Sequence, residues 1–380
     1  MQKLNSPRLL IRFFLLLILS ASSAIAAEKS TSLQLTLPPA IYAVPGVEMN
    51  FYYDNIVLTE TPEKYRFEID CKIGTAEKAR WTVTPTGFDC GKYPLSVKVT
   101  DANGKSLGTA KTVLHVAEEI SGAHNDTFRL LIIGDSLTHG TVYSNEIARL
   151  LSNLGNPKWQ LLGTHKPKSA AAGVAHEGYG GWTWQRFASH YEPNPDGTHR
   201  KRSSPFVYLG KDGKPGLDIK RYFKEECNGN APDAVVIMLG INDCFSAKQD
   251  AVDEKIDGMF AQADILIKAL QAAAPQAEVG ICLTTPGNSR QEAFFANYKD
   301  RYSRWGWKKI QHRLVQRQIE KFAGREKENL FLVPTELNLD PVDGYPVNNG
   351  VHPNTVGYKQ IGASIYSWLK YRLESEDKAP

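Results

Sequence analysis

The chain has 380 residues, 42% of them hydrophobic, and a formal net charge of +4. That length exceeds one typical domain and supports a sizeable buried interior, which excludes a disordered or collagen-like chain. The balance of 45 Lys and Arg against 41 Asp and Glu lies too near neutrality to argue electrostatically for nucleic acid as a partner.

Residues 1–26 carry Lys3, Arg8 and Arg12, then an apolar run from Phe13 to Leu19, then small residues ending in Ala24-Ile25-Ala26. This pattern predicts a secretory signal peptide cleaved near Ala26, and hence a secreted or periplasmic protein. The apolar run is too short for about 30 Å of hydrocarbon, and no cysteine follows it, so no stable membrane anchor is expected. Loss of the three basic residues takes the charge from +4 to +1. Five cysteines in an exported chain allow two disulfides, expected as Cys71 with Cys90 and Cys227 with Cys244. Cys282, inside the apolar run AEVGICLTTP, reads as a small buried hydrophobe. No Cys/His spacing suggests zinc, and no cofactor is expected.

From about Ser32 to Ala117 short alternating or β-branched runs follow one another: SLQLTL, EMNFYY, RFEID, ARWTVTP, YPLSVKVTD and AKTVLHVAE. Turn residues separate them, and no long helical-period stretch intervenes. Residues 28–118 are therefore expected to form a small antiparallel β-sandwich, with a hairpin turning near Asn103-Gly104. In general pattern the segment resembles the immunoglobulin-like accessory domains of exported enzymes. Residues 119–127 read as a linker.

Beyond it, residues 128–380 alternate strand with helix. FRLLIIG, WQLLGTH, DAVVIMLG, EVGICLTTP and NLFLVPTE are nearly continuous apolar runs. SNEIARLLSNLG, the 24 residues from Val252 to Pro275, WGWKKIQHRLVQRQIEKFAG and TVGYKQIGASIYSWLKYRL have helical period. The pattern predicts an α/β domain, a parallel sheet covered by helices on both faces. Ligands of such sheets sit at the carboxyl ends of the strands, where the unusual residues of this sequence fall. The basic run His199-Arg200-Lys201-Arg202 lies among Ser, Pro and Gly and reads as a solvated loop.

Gly134-Asp135-Ser136 ends the first of these strands, where a serine is exposed beside unpaired backbone N–H groups. Asp135 and Ser136 could equally cap a turn. Gly240-Ile241-Asn242-Asp243 ends another strand and could point an amide donor at the same place. Between them HEGYGGWTW supplies Gly180 and Gly181, where backbone can approach a ligand without a Cβ in the way. Near the C-terminus His352 lies in NNGVHPN, between a turn and the final helix.

In this order the four pieces resemble the SGNH or GDSL hydrolase superfamily over residues 128–372. The resemblance implies a flavodoxin-like sheet with Ser136 as nucleophile and His352 as general base. It also implies an oxyanion hole from the N–H groups of Ser136 and Gly181 and the amide of Asn242. One departure is Asn349, which stands where the family usually has Asp. Three accounts are open: Asn349 orients His352 without charge, Asp343 folds back to do so, or a backbone carbonyl supports a Ser-His dyad.

Fold and triad do not choose a substrate. Tyr179, Trp182, Trp184, Tyr191, Phe206 and Tyr208 lie in the long stretch from His165 to Pro232. Tyr298, Tyr302, Trp305 and Trp307 follow TTPGNSRQEAFF. Some of these must be core, but as a set, mixed with Asn, Gln, Arg and Asp, they suit sugar rings better than an acyl chain. The leading expectation is an esterase removing short acyl groups, acetyl first, from a polysaccharide or oligosaccharide. A lipolytic esterase or acyltransferase of the same fold, and a sugar-binding relative without turnover, are the alternatives.

Overall fold

Apolar strands set the frame of the structure, a computed structural model that describes residues 33–120, 127–199 and 202–377. The expected signal peptide, residues 121–126 of the expected linker, and Arg200 and Lys201 of the basic run lie outside the described residues.

In the N-terminal part the elements are β1 (Ala40–Ala43), β2 (Met49–Tyr52), α1 (Tyr53–Ile56), β3 (Arg66–Asp70) and β4 (Thr75–Ala76). β5 (Arg80–Val83), β6 (Gly91–Thr100) and β7 (Ser106–Val116) complete it. They form two sheets, ordered β1-β7-β6-β3 and β2-β5-β4. The period-2 pattern turns Leu95, Val97 and Val99 of β6 and Leu114 and Val116 of β7 toward Phe51, Trp81 and Val83, making one hydrophobic core. The β6–β7 turn closes where Gly104, at φ +83°, donates its N–H to the carbonyl of Asp101. Two expectations need correction. The first strand is Ala40–Ala43 rather than SLQLTL, because Pro38-Pro39 interrupts the ladder, and only Leu35 makes a bridge, to Val57. β1 also pairs parallel to β7, so this sheet is mixed rather than wholly antiparallel.

The second part begins with β8 (Thr127–Gly134), α2 (Ser136–His139), α3 (Val142–Leu151), β9 (Lys158–Leu162), β10 (Glu177–Gly178) and α4 (Trp184–Ser189). It continues with β11 (Val207–Leu209), β12 (Pro215–Leu217), α5 (Ile219–Glu226), β13 (Ala234–Met238), α6 (Ile241–Cys244) and α7 (Val252–Ala273). β14 (Glu278–Cys282), α8 (Gln291–Tyr298), α9 (Arg304–Phe322), β15 (Leu330–Val333), α10 (Thr335–Asn338) and α11 (Thr355–Asp377) end it.

The strands β8, β13, β14 and β15 are parallel neighbours, and β9 and β10 both pair with the other side of β8. Taken as β8, β9, β13, β14 and β15, the order is second-first-third-fourth-fifth, the flavodoxin-like arrangement. Every residue of β13, β14 and β15 is buried, as strands covered on both faces require. On one face Trp368 of α11 lies where a Cβ on Gly280 of β14 would be. On another side α7 buries Ile256, Met259, Phe260, Ala263, Leu266, Ile267 and Leu270, an i, i+3, i+4, i+7 stripe. After β8 the chain leaves to one side, for β9, and returns to the other, for β13. The crevice of the sheet is therefore at the carboxyl ends of β8 and β13.

The two parts are bonded to each other. The backbone N–H of Asn50 donates to Asn338 Oδ1 at 2.7 Å, and Asn55 Nδ2 donates to the carbonyls of Glu336 at 2.7 Å and Leu339 at 2.8 Å. Leu337 of α10 is packed inside the β-sheet core.

The expected disulfides do not form; all five cysteines are free. Cys227 caps α5, whereas Cys244 ends α6 with its sulfur 3.9 Å from that of Met259. Cys71 follows β3, while the Cys90 thiol lies 3.5 Å from the Ala117 carbonyl. Nearness in sequence does not supply the paired Cβ vectors that a disulfide needs. Cys282 is buried in β14, as expected, and burial raises its thiol pKa. Among the described residues no helix is long and apolar enough to cross a membrane.

Candidate active site

Ser136 is the first residue of α2, immediately beyond the end of β8. The strand can turn there because residue 134 is glycine: a Cβ would fall 1.9 Å from Thr138 Oγ1 and 2.9 Å from the Met238 carbonyl. Asp135 caps the turn, with its Oδ1 accepting from the Leu137 N–H at 2.9 Å. The capping reading of Asp135 thus holds alongside whatever Ser136 does.

His352 comes to this point from 216 positions away, its Nε2 standing 2.9 Å from Ser136 Oγ. With Nε2 accepting from the hydroxyl, the ring proton resides on Nδ1, which faces Asn349 Oδ1 at 3.3 Å. The same Asn349 oxygen accepts from the backbone N–H groups of Val351 at 3.0 Å and His352 at 2.9 Å. Two obligate donors fix which end of the amide is oxygen, so the amide cannot turn its NH₂ toward His352. Burial holds the His352 imidazole below the usual histidine range, which keeps it a neutral acceptor. Asp343 does not approach: its side chain is 84% exposed and lies 3.6 Å from Arg290.

Asn242, in α6 beyond β13, directs its Nδ2 toward Asp135 Oδ2 at 3.3 Å and the Trp182 carbonyl at 3.1 Å. This ties three pieces of the sequence together: the serine turn, the Gly-Gly turn and the Gly-Ile-Asn-Asp turn. Gly181 precedes Trp182 in an exposed turn at φ +76°, a conformation only glycine adopts without strain, with open space where a Cβ would be. Burial pushes the carboxyl groups of Asp135 and Asp243 up to about 7, the nearby Asp135 charge adding to the effect on Asp243.

The profile of the GDSL-like Lipase/Acylhydrolase family matches residues 132–360, more than half of the chain. The chain belongs to that family. No curated protein sequence matches this GDSL-like hydrolase. Among solved structures it is similar to a family 3 carbohydrate esterase of Clostridium thermocellum, at 19% identity, TM-score 0.44, covering 66% of this chain and 99% of that one. It is also similar to a carbohydrate esterase family 3 protein from Talaromyces cellulolyticus, at 17% identity, TM-score 0.39, covering 66% and 100%. A third likeness is to an acetyl xylan esterase, AlAXEase, at 14% identity, TM-score 0.36, covering 64% and 100%. At these identities and TM-scores the family match carries the assignment.

The surroundings of the site in this GDSL-like hydrolase sort the aromatic residues. Trp182, Trp184, Phe206 and Tyr208 are buried core, as is Trp307. Tyr298 and Tyr302 are partly exposed and gather on Phe245, with ring centroids 5.1 and 4.7 Å away. Phe245 follows Asn242 by three residues. Beside Asn242 opens a groove of about 480 Å³ whose polar lining includes Gln185, Ser246, Glu254, Lys255 and Gln262.

Sequence reasoning missed Asn288. It is 1% exposed and donates from Nδ2 to the carbonyls of Pro346 at 2.9 Å and Asn349 at 3.0 Å, which holds the histidine loop. Its position in Pro-Gly-Asn-Ser, just beyond β14, was the available signal. Three packed histidines at the end of α2 were also missed: His139 stacks on His165 with centroids 4.7 Å apart, and His165 packs tilted against His176 at 5.0 Å. His176 bonds to Thr141 Oγ1 at 3.0 Å, and burial lowers its pKa to about 3, so this ring packs as a neutral group.

Proposed function

We propose that this chain is an exported serine esterase that removes short acyl groups, acetyl first, from a carbohydrate through an acyl-enzyme. The observation that carries the reading is the hydrogen-bonded series from Ser136 Oγ to His352 Nε2 at 2.9 Å and from His352 Nδ1 to Asn349 Oδ1 at 3.3 Å.

In the proposed reaction His352 Nε2 takes the Ser136 proton as Oγ attacks the ester carbonyl, then gives it to the departing sugar oxygen. A water repeats the attack on the acyl-serine with His352 again as base. The N–H groups of Ser136 and Gly181 and the amide of Asn242 receive the oxyanion, which requires the Asn242 amide to exchange a present partner for it. Asn349 keeps the Nδ1 proton in place without a formal charge. Its amide cannot turn, so the cost of a wrong tautomer, the usual objection to Asn here, is avoided.

The carbohydrate part is supported by the surroundings: a groove that starts at Asn242 and mixes polar side chains with Ala247, Ala251 and Met259, and a partly exposed Phe245-Tyr298-Tyr302 group, with no long apolar slot among those residues. The signal peptide, export and the likeness of the β-sheets to immunoglobulin-like domains belong to the same proposal. The test is acetate release from a panel of acetylated polysaccharides beside a long-chain ester, with Ser136→Ala as control. Turnover of the long-chain ester alone would overturn the carbohydrate reading.

A further inference from the structure

The residues between α10 and α11, which carry Asn349 and His352, form no regular element. A connection of this length is ordered only if something outside it supplies the contacts, since each fixed residue costs about 1–2 kcal/mol of backbone entropy. Around Asn349 and Gly350 the supports are specific. Asn288 donates its backbone N–H to the Gly350 carbonyl at 2.9 Å, in addition to its two side-chain bonds to Pro346 and Asn349. Asn297 Oδ1 accepts from the Gly350 N–H at 2.7 Å, and the Tyr345 hydroxyl accepts from the Gly287 N–H at 3.0 Å.

The residue next to Asn288 is tied to the β-sheet region. Ser289 donates its hydroxyl to Asp54 Oδ2 at 2.6 Å and its N–H to the Pro341 carbonyl at 2.7 Å. Asp54, in α1, is only 14% exposed at its side chain. It also pairs with Lys308 of α9 and with Arg304 at 3.4 Å, while Lys308 donates to its carbonyl at 2.7 Å. Burial alone would raise the Asp54 pKa, but Lys308, Ser289 and Arg304 outweigh it and hold the carboxyl ionised. A charged acceptor fixed by two cations is a firm anchor for one hydroxyl.

We infer that Asp54 is a positioning residue for His352, acting through Ser289 and Asn288, so that the β-sheet region is part of the catalytic unit rather than a spacer. This rests on the esterase reading of Ser136 and His352. The serine-to-histidine bond depends on a loop whose 346–350 stretch is held by Asn297 and Asn288, and Asn288 adjoins Ser289, the residue bonded to Asp54. A displacement of about 1 Å at a reacting group can cost on the order of 10²-fold in rate.

Asp54→Ala would strand Lys308 and Arg304 and could unfold the chain, so the informative variant is Ser289→Ala, which leaves that ion cluster whole. The full chain and its Ser289→Ala and Ser289→Thr variants are compared for kcat and KM on p-nitrophenyl acetate, for labelling of Ser136 by a fluorophosphonate, and for amide hydrogen exchange. Ser289→Ala is expected to lower kcat and labelling rate by roughly ten- to a hundredfold with KM within about threefold, and to speed exchange at residues 345–352 but not in β15. Ser289→Thr keeps the hydroxyl and is expected to recover most of the loss. A kcat within about twofold of wild type in Ser289→Ala overturns the inference whatever the exchange shows. A wild-type chain that neither hydrolyses the ester nor takes the label sinks the esterase reading instead. Exchange at 345–352 then decides alone whether Asp54 and Ser289 hold the loop.

Discussion

Asn349 Oδ1 lies 3.3 Å from His352 Nδ1 and is held in place by the backbone N–H groups of Val351 and His352. An uncharged orienter of this kind directs the ring but does little to stabilise an imidazolium. Asn349→Ala is therefore expected to reduce kcat by roughly ten- to a hundredfold, less than the ~10⁴-fold of a charged triad. Asp343→Ala, at an exposed carboxyl, is expected to change little. Asn349→Asp should raise the pKa of His352, because a carboxylate favours the imidazolium. Steady-state kinetics of the three variants would overturn the assignment if Asp343→Ala alone lost activity.

Ser136→Ala is expected to abolish ester hydrolysis with no change in melting temperature, since it deletes the attacking oxygen and little packing. Asn242→Ala should lower kcat by about 10²- to 10³-fold, the usual loss for one oxyanion donor. A change confined to KM would assign Asn242 to substrate binding.

The acid limb of kcat/KM should fall below pH 6.5. Burial lowers the His352 pKa from its ordinary 6.5, so the base form persists to more acid pH and is lost only as pH falls through the depressed value. An acid limb above 6.5 in the wild-type pH profile would contradict this environment for His352.

Acetyl esters should be hydrolysed at least about tenfold faster than esters of about eight carbons, because the groove beside Asn242 mixes Gln185, Ser246, Glu254, Lys255 and Gln262 with a few small apolar residues and Met259 and offers no long apolar slot. Comparable rates on the two series of p-nitrophenyl esters would favour a lipolytic enzyme.

Glu336, in α10, is 1% exposed, and burial pushes its carboxyl up to about 8. In the unfolded chain it ionises near 4.5. Its folded pKa is raised, so the stability it contributes is complete below 4.5 and is lost as pH rises from 4.5 through 8. Glu336→Gln stays neutral throughout. It should match wild type in melting temperature at pH 4 and exceed it by a few degrees at pH 8. A variant no more stable than wild type at pH 8 would refute the buried-acid account.

The amino-acid order alone determined the alternation of strand and helix. Strands covered on both faces must be continuous apolar runs, as in β13 and β14, and a helix such as α7 must carry a 3.6-residue stripe, so both are local properties. Gly134-Asp135-Ser136, Gly240-Ile241-Asn242 and the turn before His352 were legible for the same reason, each being a short contiguous piece at a strand end or helix start. Tertiary structure decided the rest. Whether Trp184 is buried core while Tyr302 stays partly exposed depends on what lies across from them, since both are large aromatic rings in any local reading. Cysteine spacing predicted pairs that packing keeps on separate elements. The parallel pairing of β1 with β7 is set by how the two sheets close, not by any residue of β1. Asn349 could be read as a weakened Asp until two backbone N–H groups fixed its oxygen. Asp54 and Ser289 are 235 positions apart, and no local pattern marks either one. Their bond exists because two cores are packed together, and only that packing brings the acid of one to Ser289, the neighbour of Asn288 that holds the histidine loop of the other.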